Sequence, residues 1–243
     1  MTAVFDHYEK HLGPVYLWMV GGFEDALARG AAELDALRLA QRVGGTAVDL
    51  GAGIGVHALE LAKRGYSVTA VDTCQALLDE LKLRAGALPV YTVKADLLAF
   101  PSYVARPIDV LLCMGDTLTH LPDVPSVLAL FAAAAAALSE DGVFLATFRD
   151  YMTEPLRGAD RFILVRADEE RMLTCFLEYA DATVTVYDVL HRREGGHWHL
   201  RVSSYPKLRL APHWVVEQLQ ARGLVVERGS APGGMVRIVA RRR

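Results

Sequence analysis

VDLGAGIG, residues 48–55, is the stretch on which the reading of this chain turns. A short apolar run, Thr46 to Leu50, leads into it, and an amphipathic run, VHALELAKRG (56–65), leads out, with Gly65 as its stop. The pattern is strand, glycine-rich turn, helix. Glycine lets backbone approach a ligand closely, and the first amides of a helix favour negative charge. Three loops of this kind compete. A phosphate loop requires G-x-x-x-x-G-K-[ST], which is absent here. A dinucleotide turn requires G-x-G-x-x-G, but Val56 stands where the third glycine belongs, and the glycine falls at Gly55. What remains is D-x-G-x-G-x-G, Asp49 to Gly55.

Downstream the rhythm is regular. YSVTAVD (66–72) reads as a strand ending on Asp72, CQALLDELKLRAG (74–86) as a helix, and PVYTVKAD (89–96) as a strand ending on Asp96. IDVLLCM (108–114) and GVFLATF (142–148) are further strands, with a helix over about 125–139 between them. Strands alternating with helices imply a parallel sheet covered on both faces, and ligands of such sheets bind at the carboxyl ends of the strands. An acid ending the second strand is placed to accept hydrogen bonds from ribose hydroxyls. A bare packing turn, with Asp72 or Asp96 as helix caps, is the plainer alternative.

The flanks differ. Residues 5–40 read as helical, broken near Gly13-Pro14 and Gly21-Gly22. Residues 160–210 hold strand-like runs with short polar joins and a hairpin turn at EGGH (194–197), which predicts a small antiparallel sheet. A helix (211–223) and two final strands joined through APGG close the chain. The expected organisation is a helical cap over 1–40, an α/β core over 41–151 and 211–243, and a β insertion over 152–210. The insertion would serve as a substrate lid or a dimer surface.

The 243 residues carry a net charge of −3, with 52% hydrophobic and 23% charged residues, which suits a substantial core and argues against nucleic acid as a partner. VLALFAAAAAAL (127–138) is too short to span a bilayer, and the charged N-terminus lacks a signal peptide's apolar core. Three widely spaced cysteines, Cys74, Cys113 and Cys175, suit a reducing cytoplasm. His197 and His199 share a strand face and with His191 could suggest a metal pair, but solvent-facing or hairpin-pairing histidines are the better reading, so no metal is expected.

Asp49-Leu50-Gly51-Ala52-Gly53-Ile54-Gly55 resembles the first motif of class I S-adenosylmethionine-dependent methyltransferases. The resemblance continues in order along the chain: Asp72 at the second strand end, Asp96 and Leu97 in KADLLAF, CMGD at the end of strand four, and the last strand pair. It implies a Rossmann-like seven-stranded, mostly parallel sheet with helices on both faces, and S-adenosylmethionine as cofactor. It implies cofactor contacts from Asp49, Gly51, Ala52, Gly53, Asp72, Thr73, Asp96, Leu97, Cys113, Met114 and Gly115. The cap and inserted sheet are similar to those of small-molecule enzymes of the glycine/sarcosine N-methyltransferase type, which implies methyl transfer to a small molecule, N favoured over O or S. A cofactor-binding regulator without turnover, and a nicotinamide-dependent oxidoreductase, are the alternatives.

Methyl transfer from a sulfonium is an in-line displacement, so alignment and exclusion of water matter more than a catalytic triad. A base is needed only where the acceptor must first lose a proton. The polar residues after strands four and five, Asp116, His120, Arg149, Asp150 and Tyr151, face one crevice on this reading. Asp116 and His120 are the candidate catalytic residues; Arg149, Tyr151, Tyr16 and Tyr205 are candidates for holding the acceptor. Arg149 suits a carboxylate on that acceptor. Each has a plainer reading as a cap, a loop bond or core packing. The inserted sheet also offers a surface for a homodimer.

Overall fold

The computed structural model describes residues 3–39, 41–104, 107–153 and 155–242. The cap comprises α1 (Ala3–His7), a π-type turn (Tyr8–Leu12), a 3-10 turn (Gly13–Val15), α2 (Tyr16–Met19) and α3 (Phe23–Ala36). The helical path tightens at Gly13-Pro14 and is interrupted at Gly21 and Gly22, both at positive φ. The core then runs β1 (Gly45–Leu50), α4 (Val56–Lys63), β2 (Tyr66–Asp72), α5 (Gln75–Ala85), β3 (Val90–Lys94), β4 (Ile108–Cys113), α6 (Val124–Ala137) and β5 (Leu138–Phe148). Four strands follow, β6 (Phe162–Ala167), β7 (Arg171–Tyr179), β8 (Thr183–Glu194) and β9 (His197–Leu208), before α7 (Pro212–Gln220), β10 (Leu224–Ala231) and β11 (Met235–Arg242).

Seven strands form one sheet in the order β10-β11-β5-β4-β1-β2-β3, and β6-β7-β8-β9 form a second. Strands β1 to β5 pair in parallel; β11 runs against both β5 and β10. β1 has β2 on one side and β4 on the other, so the chain order reverses there and a crevice opens at the strand ends.

Side-chain alternation divides the core. Val48, Leu50, Leu111 and Phe144 pack with Phe131 of α6 and Val215 and Leu219 of α7 on one face. Ala47, Val68, Leu112 and Leu145 pack with Leu34, Leu59, Leu78 and Leu81 of α3, α4 and α5 on the other. Helix α6 shows how sequence sets this. Asp123 caps it by accepting from the Ser126 amide at 2.8 Å, and Val127, Leu130, Phe131, Ala134 and Ala137 recur at helical spacing as its buried face. Burying each large member contributes about 1.5–3 kcal/mol.

One boundary departs from expectation. β5 begins at Leu138, not Gly142, because Leu138 already pairs with Ile108 where α6 stops. The register then shifts before Val143 joins Val110, with Asp141 at φ 63° in between.

Candidate functional site

The strand-to-helix turn at Gly51–Gly55 is shaped by close approach as well as by φ. A Cβ on Gly51 would lie 2.5 Å from Thr117 Cγ2, and one on Gly55 would lie 2.0 Å from Leu81 Cδ1. Both glycines sit at positive φ, so the turn is drawn down between the β4 loop and α5 in a path open only to glycine. Asp72 ties it from the next strand: Oδ2 accepts from the Gly53 amide and Oδ1 from the Cys74 amide, each at 2.8 Å.

Beside this turn lies a cavity of about 520 Å³. Asp49, Gly51, Ala52, Gly53, Asp72, Thr73, Asp96, Leu97, Met114 and Gly115 line it. Asp49 is 2% exposed, its Oδ2 has no hydrogen-bond partner, and burial pushes its carboxyl up to about 6 against the opposing pull of His57. Burial likewise raises Asp72, while the Cys74, Gly53 and Thr73 amides act against the shift. Asp96 Oδ1 accepts from the Leu98 amide at 2.8 Å. The role of Cys113 needs correction. Its side chain is fully buried in the core and does not line the cavity, because strand alternation turns it toward α6 and hands the wall to Met114 and Gly115.

The acceptor-side candidates separate into two groups. Tyr16, His120 and Arg149 line the cavity; Asp116, Tyr151 and Tyr205 do not. Asp116 is 4% exposed at φ 74°, and its carboxylate is fully engaged. Oδ1 accepts from the Arg149 amide at 2.9 Å and Thr119 Oγ1 at 3.0 Å; Oδ2 accepts from Lys207 Nζ at 2.6 Å and Tyr151 Oη at 3.1 Å. Burial alone would raise its pKa, but the Lys207 charge, His120 and these bonds hold it below the ordinary range. Lys207 is shifted upward: burial opposes its charge and Asp116 outweighs burial. The expectation that Asp116 and Tyr151 reach the acceptor is therefore replaced by a buried polar knot joining the β4 loop, the end of β5 and β9. Asp150 also turns to its own loop, accepting from the Met152 and Thr153 amides.

His120 stands in front of that knot. Its Nε2 is buried without a partner, and burial together with the Lys207 charge pushes its pKa down to about 3. The ring is neutral at physiological pH. Tyr8 lies 5.6 Å from it and Tyr205 5.4 Å, edge-on, while Tyr8 is 6.5 Å from Tyr16. Tyr8 and Tyr16 of the cap thus form an aromatic wall of the cavity beside His120, with Tyr205 of β9, 5% exposed, packed behind them against His7 and Tyr8. Arg149 sits at the lip, Nη1 donating to the Gly233 carbonyl at 3.0 Å.

Sequence reasoning missed Arg29, Glu33 and His57, which also line the cavity. His57 Nε2 lies 2.9 Å from Glu33 Oε2. Burial works against a charged ring there, but the bonds and charges of Glu33 and Asp49 outweigh it, and the His57 pKa is raised. The signal was faint: Arg29 and Glu33 lie four apart on α3, a spacing that ordinary solvent-exposed helix faces also show. Among the described residues no group of three or more His, Cys, Asp or Glu is placed to hold a metal, and no helix is long and apolar enough to cross a membrane. Strand register sets His191 on the opposite face from His197 and His199.

Residues 47–142 match the family model described as a methyltransferase domain. No curated protein matches the sequence. Solved structures do. The CcbJ methyltransferase from Streptomyces caelestis is 21% identical, with a TM-score of 0.78 and 97% of each chain covered. CalS10 from Micromonospora echinaspora, an amino pentose methyltransferase solved with S-adenosylmethionine bound, is 18% identical at a TM-score of 0.74, covering 95% of this chain and 96% of that one. KedS8 from a Streptoalloteichus species, a sugar N-methyltransferase, is 17% identical at 0.74, covering 94% and 92%. The chain therefore has the class I S-adenosylmethionine-dependent methyltransferase fold, with an N-terminal helical cap and an antiparallel insertion.

Proposed function

We propose that the chain is an S-adenosylmethionine-dependent methyltransferase acting on a small-molecule amine. The observation that carries this reading is one cavity that joins the glycine turn and the acids in or just after β1, β2 and β3 to an aromatic, histidine-bearing wall. The residues fit the cofactor. Asp72 and Asp96 suit hydroxyl and amino donors, and the unpartnered Asp49 oxygen suits a cationic amino group. When bound, the cofactor supplies a methyl group already activated on a positive sulfur.

The chain's own residues then align and desolvate. Tyr8 and Tyr16 present aromatic faces that favour cationic groups and exclude water. His120, neutral, can accept a hydrogen bond from an acceptor N–H at Nε2 and so orient its lone pair. Among the described residues no strong base lines the cavity on that side, since Asp116 is bound in its knot. This favours nitrogen, which carries its own lone pair, over an alcohol that must first be deprotonated. Arg149 at the lip suits an acceptor carboxylate. The reading includes a cytoplasmic setting, in keeping with three free cysteines, neither nucleic acid nor membrane as partner, and a second copy of the chain as protein partner.

Incubation with S-adenosylmethionine and a panel of amines, amino sugars, phenols and thiols tests it. S-adenosylhomocysteine formed only with amine acceptors is the expected result. Tight cofactor binding with no turnover on any of them favours a regulator, and tight binding of NAD in its place overturns the reading.

A further inference from the structure

Both faces of the β6–β9 sheet carry apolar side chains. Its inner face is accounted for: Leu173, Leu177, Val184, Val186 and Leu190 are buried against the cap and Tyr151. Its outer face is not. Register places Leu164, Thr174, Val189 and Val202 in one row across the four strands, with Phe162, Phe176 and Tyr187 along the next, and Met172, His191 and Leu200 on the other side. Leu164 is 62% exposed, Phe162 60%, Leu200 59% and Val202 54%. Lone exposed apolar residues are ordinary, but a contiguous field of them on one sheet face marks a binding surface.

We propose that this outer face is a two-fold interface between two copies of the chain. It names the surface through which the protein partner of the reading above binds. Three features point to a second copy. The face has an apolar centre and a polar rim of Glu178, Thr185 and Ser204 at one end and Arg193 at the other, the anatomy of a permanent interface. Four strands about 4.8 Å apart and about nine residues long give a footprint of roughly 19 by 30 Å. With side-chain relief that is close to the ~800 Å² per partner of a standard stable complex. Its charges are also self-complementary. A two-fold axis lying in the interface and crossing the strands reverses strand direction, so Arg193 of each copy comes over the Glu178 end of the other. Arg161, stacked over Phe176, and Arg193 at the opposite end are set against Glu178 on this face, and two separated arginines make no basic cluster for a lipid surface.

Sedimentation velocity on the full chain at micromolar concentration tests this, with circular dichroism to verify folding and S-adenosylhomocysteine titration to verify the cofactor site. The wild type is expected to sediment as two chains. Val202→Asp and Leu164→Asp should sediment as one chain with unchanged S-adenosylhomocysteine affinity. Should either fail to fold, Arg193→Glu changes only an exposed rim position and is expected to weaken the dimer at least tenfold, with Glu178→Arg in the same chain restoring it. A monomeric wild type, folded Asp variants that remain dimeric, or an Arg193→Glu chain that dimerises as tightly as wild type overturns the proposal. Because the cofactor titration is read separately, loss of the dimer is distinguishable from loss of the methyltransferase site.

Discussion

Asp49 is under two opposed demands. Ionised, it is a buried acid with one unpartnered oxygen, and burial raises its folded pKa to about 6. A raised carboxyl destabilises the fold once ionised. Below about pH 4 both states hold the proton and it contributes nothing; from about 4 to about 6 the unfolded state ionises first and stability falls; above that the penalty is complete, on the order of 3 kcal/mol. Asp49→Asn is therefore expected to raise the melting temperature at pH 8, while calorimetry shows cofactor affinity reduced at least tenfold. Asp72→Ala should weaken cofactor binding more, since it removes the carboxylate proposed to hold the ribose and also the anchor of the Gly53 amide; unchanged affinity would sink the ribose assignment. His120, held at about 3, stays neutral from about pH 5 to about pH 9, so the kcat profile there should lack a limb from this ring and follow the acceptor's own ionisation. A limb that disappears in His120→Gln, with the same acceptor, would count against this.

At the scale of elements, the Asp116–Lys207 pair fastens β9 to the ends of β4 and β5. Both side chains are at least nine-tenths buried. Breaking such a pair from one side leaves an uncompensated charge, so Lys207→Met is expected to cost about 3–5 kcal/mol in urea denaturation. Asp116→Asn in the same chain should recover a large part of that loss. Because Asp116 orders the loop bearing His120 through Thr119, Asp116→Asn alone should reduce kcat more than cofactor affinity; equal loss of both would place it with the cofactor instead.

Across the whole molecule, the cap and inserted sheet form a roof stitched together over long sequence distances. His7 bonds Asp188 at 2.9 Å and Ser203 at 2.8 Å, Trp18 donates to Asp168 at 2.5 Å, and Leu12 and Val15 pack on Leu173 and Leu190. The roof meets the core through Tyr8 and Tyr16 against Ile54, Cys74 and Leu77. His7→Ala removes a ring bonded at both nitrogens and leaves Asp188 buried. Hydrogen exchange should then quicken in α1 and β9 while β1, β2 and β4 keep their protection. Uniform loss of protection would mean that the roof and core unfold as one.

The α/β core was legible because its signals are local: apolar runs, the Asp49–Gly55 spacing and the acids ending β2 and β3 are set by neighbours in the chain. The same rules found the inserted sheet from strand runs and a hairpin turn. Roles at the acceptor side were less legible, because they depend on which way a side chain leaves a loop. Asp116 and His120 are four residues apart in one polar stretch, CMGDTLTHLP (113–122), and read alike in the sequence. Asp116 lies in the left-handed region and turns under the loop to meet Lys207, ninety-one positions away, while His120 faces the cavity. Glu33 and His57 meet across α3 and α4 in the same manner. The chain by itself thus determined the sheet, the glycine turn and the acids beside it, because backbone periodicity and close packing act locally. Only tertiary structure decided which charge is neutralised and which is offered to a ligand, because that is settled by burial and by partners distant in sequence.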